Sequence, residues 1–285
     1  MRATILEAVN LHYKYADGTS ALSGVNLKVQ RGEKLAVMGA NGSGKSTFFL
    51  CLNGVYKPSG GTVYLDGEPV QYTGKGLLAL RRRVGIVFQD PDHQLFSADV
   101  YGEISFGPLN LGLPEDEVRR RVENVIGELQ IGPFQDKPVH FLSGGQKKRV
   151  SIADILVMEP DVVILDEPAA ALDPKHARLV DEIIDGLSAR GITVIISTHD
   201  VNRALAWADA VALFDGGQVL TKDTPQVVFG NGELLRRTNL EQPTVMKLFH
   251  SLTERGILDR NQPIPRSEDE LAAYINEATF PVMQS

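Results

Sequence analysis

Gly39-Ala40-Asn41-Gly42-Ser43-Gly44-Lys45-Ser46 decides the reading of this chain. It matches G-x-x-x-x-G-K-[ST], in which glycines let backbone N–H groups converge on phosphate oxygens and the next helix N-terminus adds partial positive charge. The flanks fit that use. Lys34-Leu35-Ala36-Val37-Met38 reads as a short buried strand, and Phe48, Phe49, Leu50 and Leu52 suit a helix that stops at Gly54. A Gly-rich turn without a ligand is the weaker alternative in this context. Gly39 through Thr47 are therefore assigned to phosphate binding, with Lys45 reaching the β- and γ-phosphates and the Ser46 hydroxyl directed at Mg²⁺.

Outward from the loop, strand signals recur at Val84-Gly85-Ile86-Val87-Phe88, Val162-Val163-Ile164-Leu165, Thr193-Val194-Ile195-Ile196-Ser197 and Val211-Ala212-Leu213-Phe214. Helices are expected between them. Val118, Val122, Val125, Ile126 and Leu129 fall on one face after Pro114; a second helix starts near Ser143, and Asp173-Pro174 opens a third. Near-continuous apolar strands alternating with helices imply an α/β fold whose parallel sheet is covered on both faces. From about Thr224 the pattern weakens to short helices separated by Pro243, Pro263 and Pro265. There Val245, Leu248, Phe249 and Leu252 are expected on one face, and Ser267 with Glu270 as a capping box. This C-terminal appendage reads equally as an interaction surface and as a tail packed on its own core.

Composition narrows the class. The 285 residues carry 29 Lys+Arg against 36 Asp+Glu, a net charge of −7, which argues against broad nucleic-acid binding. Length suggests roughly two domains, or one with an appendage. The single cysteine, Cys51, sits among apolar neighbours and reads as a buried thiol in a reducing compartment. No stretch is long and apolar enough to span a bilayer, and the early Glu7 interrupts any signal-peptide core, so the chain is expected neither to cross a membrane nor to leave the cytoplasm unaided. Its six histidines, His12, His93, His140, His176, His199 and His250, show no ligand spacing. Mg²⁺ at the phosphate loop is thus the only metal expected on this chain, and Trp207 reads as packing.

Two further motifs carry chemistry. Asp166-Glu167 ends a buried strand, placing Asp166 to hold Mg²⁺ through its water shell and Glu167 to orient, and take a proton from, the attacking water. Leu142-Ser143-Gly144-Gly145-Gln146 offers a second anion site, with Ser143 as helix cap and Gly144-Gly145 exposing N–H groups.

With these motifs, the sequence resembles the ATP-binding-cassette (ABC) ATPases from about Ile5 to Asp223. The resemblance implies a mostly parallel sheet core, an antiparallel N-terminal sheet and an inserted helical subdomain at about 90–158. Residues 1–223 would form the ATPase domain and residues 224–285 a small helical appendage, a candidate dimerisation surface. It also implies head-to-tail dimerisation, with Leu142–Gln146 closing on the partner's ATP. Tyr15 matches the aromatic that stacks on adenine, with Tyr13 as competitor. Gln89 matches the glutamine that touches Mg²⁺ and the attacking water, and His199 the histidine at the γ-phosphate. Ala171-Leu172-Asp173 matches the loop that communicates between the two sites. Ala169 and Ala170 depart from the commoner Thr-Ser or Thr-Ala pair, which bears on site coupling rather than on activity.

Within that family, Phe88-Gln89-Asp90-Pro91-Asp92-His93-Gln94-Leu95-Phe96 and Phe106-Gly107-Pro108-Leu109-Asn110-Leu111-Gly112 resemble the ATPases of energy-coupling-factor importers, most of all the cobalt transporters. Nickel and vitamin importers are the alternatives. The resemblance implies a peripheral position at the cytoplasmic face of the membrane. It also implies a second copy or a paralogous ATPase as partner, and integral membrane subunits docking near Gln89–Phe96. A P-loop kinase is disfavoured by Leu142–Gln146 and His199. A soluble cassette acting on nucleic acid or ribosomes is disfavoured by the charge and by the absence of a second cassette or long coiled coil.

Overall fold

Strands that are apolar at every position, such as Val162–Leu165, must be covered on both faces. The computed structural model, which describes residues 2–278, shows how this chain does so. The N-terminal part forms β1 (Thr4–Lys14), β2 (Ser20–Gln30), β3 (Lys34–Met38), α1 (Lys45–Leu52), β4 (Gly60–Leu65), β5 (Glu68–Pro69), α2 (Gly74–Arg83) and β6 (Val84–Val87). The middle supplies α3 (Val100–Asn110), α4 (Glu115–Glu128), α5 (Gly144–Leu156), β7 (Val162–Leu165), α6 (Pro174–Ala189) and β8 (Thr193–Ser197). Then come α7 (Val201–Trp207), β9 (Ala210–Asp215), β10 (Gln218–Asp223), α8 (Pro225–Gly230), α9 (Gly232–Arg237), α10 (Thr244–Glu254) and α11 (Glu268–Glu277).

Two sheets result among the described residues. One is antiparallel, in the order β2-β1-β4-β5; the other runs β10-β9-β3-β8-β7-β6 and is parallel except at β10. In the parallel sheet the strand ends lie level: Val87 pairs with Leu165, Leu165 with Ile196, and Val37 with Ser197. Period-2 alternation sorts the side chains. Ala36, Met38, Val163, Leu165, Val194 and Ile196 join the helices in one core. Leu35, Val37, Val162, Ile164 and Ile195 join α1 and the antiparallel sheet in another, which buries Phe48, Phe49 and Cys51. Both faces are covered, as expected, but one of them mainly by β-structure. Burial pushes the Cys51 thiol up to about 12.

The segment after β10 shares the helical-side core through Val228, Phe229, Leu235, Val245, Met246, Phe249 and Leu271. Polar contacts moor it to α7: Thr244 N donates to Asn202 Oδ1 at 2.8 Å, and Arg266 donates from Nε to Leu205 O at 2.9 Å and from Nη2 to Ala208 O. Residues 279–285 of the appendage lie outside the described residues. Two sequence expectations are corrected here. Leu248 is 51% exposed and Leu252 only half-buried, because the buried stripe of α10 is Val245-Met246-Phe249-Thr253. Ser267 Oγ does accept from Glu270 N, but Glu270 Oε2 accepts from Arg266 N at 2.7 Å instead of closing a capping box. The reciprocal box forms at Ser143 and Gln146.

Phe249→Ala should cost about 3–5 kcal/mol, since it empties a well-packed site, whereas Leu248→Ala should stay within about 0.5 kcal/mol. Urea unfolding midpoints of the two variants check this.

Candidate active site

Level strand ends bring four separate loops together. Gly39 follows β3, Gln89 follows β6, Asp166-Glu167 follow β7 and His199 follows β8. Gly39 has φ +146°, and a Cβ there would lie 2.2 Å from Phe214 O, so only glycine lets the loop leave the strand this way. Lys45, on the first turn of α1, donates to Gly39 O at 2.8 Å and to Ala40 O at 3.0 Å. Burial lowers its pKa, opposed by Glu167 and Asp166. Helix α1 has no side-chain cap and no acid in its first turn, and the buried Ser43 hydroxyl has no partner. Unpaired helix-start donors beside a buried ammonium fit an anionic phosphate chain.

These groups line a cleft of about 600 Å³ with Tyr15, Asn41 to Thr47, Gln89, Glu167 and His199. Tyr15 is hydrogen-bonded to Thr47 Oγ1 at 2.7 Å and faces the cleft. Tyr13, the competing aromatic, instead stacks on Tyr56 at 4.7 Å. Glu167 is held from both sides: His199 Nε2 lies 2.6 Å from Oε1, and Gln89 Nε2 donates to Oε2 at 3.2 Å. Behind it, Ser197 Oγ donates to Asp166 Oδ1 and accepts from Glu167 N at 2.8 Å. That contact fixes the left-handed backbone of Glu167, φ +43°. Among the described residues no group of three His, Cys, Asp or Glu could cage a metal. Ser46 and Gln89 line the cleft and Asp166 sits beside Glu167; a sparse oxygen set of this kind would suit Mg²⁺, which keeps waters and takes phosphate oxygens.

Ser197 and Lys148 had not been singled out as site residues in the sequence. Lys148, 1% exposed, donates to Phe88 O at 2.9 Å and Gln89 O at 2.7 Å, and its burial lowers the pKa to about 8. Lys147 pairs with Asp92 at 2.5 Å and Gln94 Nε2 donates to Ser151 O at 2.7 Å, so the Gln89–Gln94 segment is tied to α5 along its length. Nothing in the local sequence distinguishes these side chains from surface ones.

Leu142–Gln146 and Ala171–Asp173 do not line this cleft. Ser143, Gly144, Ala171 and Asp173 are exposed, and Ala171 is left-handed at φ +58°. The chain therefore carries an uncapped, glycine-rich helix start in the cleft and, outside it, a helix start at Ser143–Gln146 closed by a capping box.

A family model for ABC transporters matches residues 22–170. The chain belongs to the ABC transporter ATPases. Among its relatives, the energy-coupling factor transporter ATP-binding protein EcfA3 of Clostridium perfringens is 46% identical over 256 residues, covering 90% of each chain. The solved structure of cbiO1 from Clostridium perfringens, described as part of the ABC transporter complex cbiONQ, superposes with TM-score 0.73 at 45% identity. It covers 88% of this chain and 100% of that one. The ATP-binding cassette MJ0796, solved as a dimer bound to ADP and Pi, is 27% identical with TM-score 0.70, covering 78% of this chain and 99% of that one. This ABC ATPase is therefore of the energy-coupling-factor type, an ATP-binding and hydrolysing subunit. No helix among its described residues is long and apolar enough to cross a membrane.

Ser197→Ala should lower kcat about tenfold or more by freeing Asp166 and the Glu167 backbone, with ATP affinity within twofold. Steady-state turnover alongside equilibrium nucleotide binding reads both numbers.

Proposed function

We propose that this ABC ATPase powers transition-metal import, with cobalt as the substrate, by closing as a dimer around ATP. The observation that carries the dimer is the separation of Leu142–Gln146 from the chain's own cleft. A capped turn that offers N–H groups to an anion, yet lies outside the cleft of the phosphate loop, would have its use in a second copy. Two composite sites are then complete in a homodimer. The dimeric assembly of the related MJ0796 cassette supports that arrangement.

In this reading Gly39–Thr47 cradle the phosphates, Tyr15 stacks on adenine, and Ser46, Gln89 and Asp166 face Mg²⁺. The ion, when bound, neutralises charge on the phosphate oxygens. Glu167 takes a proton from the attacking water while His199 meets the γ-phosphate. The same two side chains that hold both Glu167 oxygens are those facing the reaction. ATP entry thus exchanges their hydrogen bonds to Glu167 for contacts to phosphate and water. Ala171-Leu172-Asp173 would pass along the partner. Nucleotide that binds the closed pair best shifts the population toward closure, and hydrolysis removes that bias.

The membrane subunits would dock on an apolar patch beside Gln89–Phe96. Phe96 and Phe106 meet edge to face at 4.7 Å and remain 66% and 45% exposed, next to Tyr101 and Leu109. Cobalt rests on the resemblance of Phe88–Phe96 and Phe106–Gly112 to the cobalt importers, and metal choice falls to a membrane partner.

Glu167→Gln should abolish turnover and trap an ATP-bound dimer in sedimentation; normal turnover in that variant would sink the assigned role. Cellular cobalt should fall selectively in cells whose uptake depends on this variant. Loss of nickel alone would reassign the substrate. Unchanged levels of both, with turnover lost, would point to a vitamin.

A further inference from the structure

One side chain joins the two exposed turns. Asp173 caps α6 with Oδ1, which accepts from Lys175 N at 3.0 Å and His176 N at 3.1 Å. Its other oxygen, Oδ2, lies 2.5 Å from His176 Nδ1, and since a carboxylate only accepts, Nδ1 carries the proton. That bond fixes the imidazole over Gly145. A Cβ on Gly145 would lie 2.4 Å from His176 Cδ2 and 2.5 Å from Cγ, so the ring occupies the space a side chain would need. Gly145 sits between Ser143 and Gln146, whose reciprocal capping bonds of 2.9 and 3.3 Å make that turn a rigid unit. An unbroken line of contact therefore runs from the capped turn through the ring to Asp173 and the left-handed Ala171.

We propose that His176 is a positioning residue that locks the Leu142–Gln146 turn to the Ala171–Asp173 turn, so that both meet the partner chain as one surface. This rests on the dimer reading above. His176 is remote from the nucleotide cleft, and its side chain is partly exposed beside an open groove of about 850 Å³ that also touches Gln146 and Arg149. Removing the ring would let water replace it against Gly145 and free the start of α5 to shift relative to α6. Closure would then have to order two loose turns instead of one preset surface.

The test uses the full chain carrying Glu167→Gln, with and without a change at position 176. Nucleotide affinity of the dilute monomer is read with a fluorescent ATP analogue, and ATP-induced dimerisation by sedimentation velocity. His176→Ala should leave monomer affinity within twofold and raise the dimer dissociation constant about fivefold or more. His176→Asn, which restores a donor toward Asp173 without the ring, should recover part of the loss, and it supplies the same readout if the alanine variant does not fold. Equal dimerisation by wild-type and His176-substituted chains overturns the proposal. So does a loss of monomer affinity that parallels the loss of dimer, which would mark a general stabilising role. If Glu167→Gln alone forms no ATP-dependent dimer, the dimer reading fails first and takes the proposal with it.

Discussion

In-register pairing of β6, β7, β8 and β3 is the constraint on which the rest of this molecule depends. Because Val87, Leu165, Ile196 and Ala36 stand level across the sheet, the residues just beyond them emerge at one edge. Gln89, Asp166, Glu167, His199 and the Gly39–Ser46 loop are spread over most of the chain, yet the strand ladder brings them to one edge, where side chains such as Lys148 and Ser197 fix them. Strand register is in turn fixed by burial on both faces, since a one-residue slip would exchange the two cores. The crevice at the carboxyl ends of parallel strands is where such sheets hold ligands, and here Lys45, Gln89, Glu167 and His199 converge on it.

Around that edge the interior is polar in a selective way. Lys148 and Ser197 are buried, and each spends its hydrogen bonds on a loop of the site rather than on a helix. Glu103, fully buried on α3, accepts from Phe96 N at 3.0 Å and Ser97 N at 2.6 Å, which steadies the segment beside the exposed aromatic patch. Buried polar groups are costly unless satisfied, so the donors that meet Glu103 Oε2 are held firmly, while its Oε1 has no hydrogen-bond partner. The segment that reaches from the cleft to the patch is accordingly one piece with α5.

Much of this was legible in the sequence, for a physical reason. Lys34–Met38 and Val162–Leu165 are apolar runs bounded by charge or glycine, and Thr193–Ser197 encloses a β-branched run, so the strands lie where the runs do. Contiguous motifs were equally readable, because the chemistry of the phosphate loop and of Asp166-Glu167 is local. What escaped depends on approach between distant segments. Ser197 reads as the last residue of an apolar strand until Asp166 is beside it, and Lys148 reads as a surface lysine until Phe88 and Gln89 lie over it. The α10 stripe was misjudged by a small rotation, since Met246 rather than Leu248 meets the core. At Ser267, local spacing favoured a capping box, but the backbone N–H of Arg266, whose side chain is anchored on α7, took the glutamate.

The moorings of α7 carry a last consequence. This helix directly follows His199, and both its first turn, at Asn202, and its end, at Leu205 and Ala208, are gripped by residues from the C-terminal segment. The phosphate loop has no such dependence, being anchored within the sheet and α1. Lys45 and His199 are thus seated on different foundations. No described residue of the C-terminal segment lines the cleft; the segment braces α7 from outside, and a loosened brace is felt at His199 rather than at Lys45.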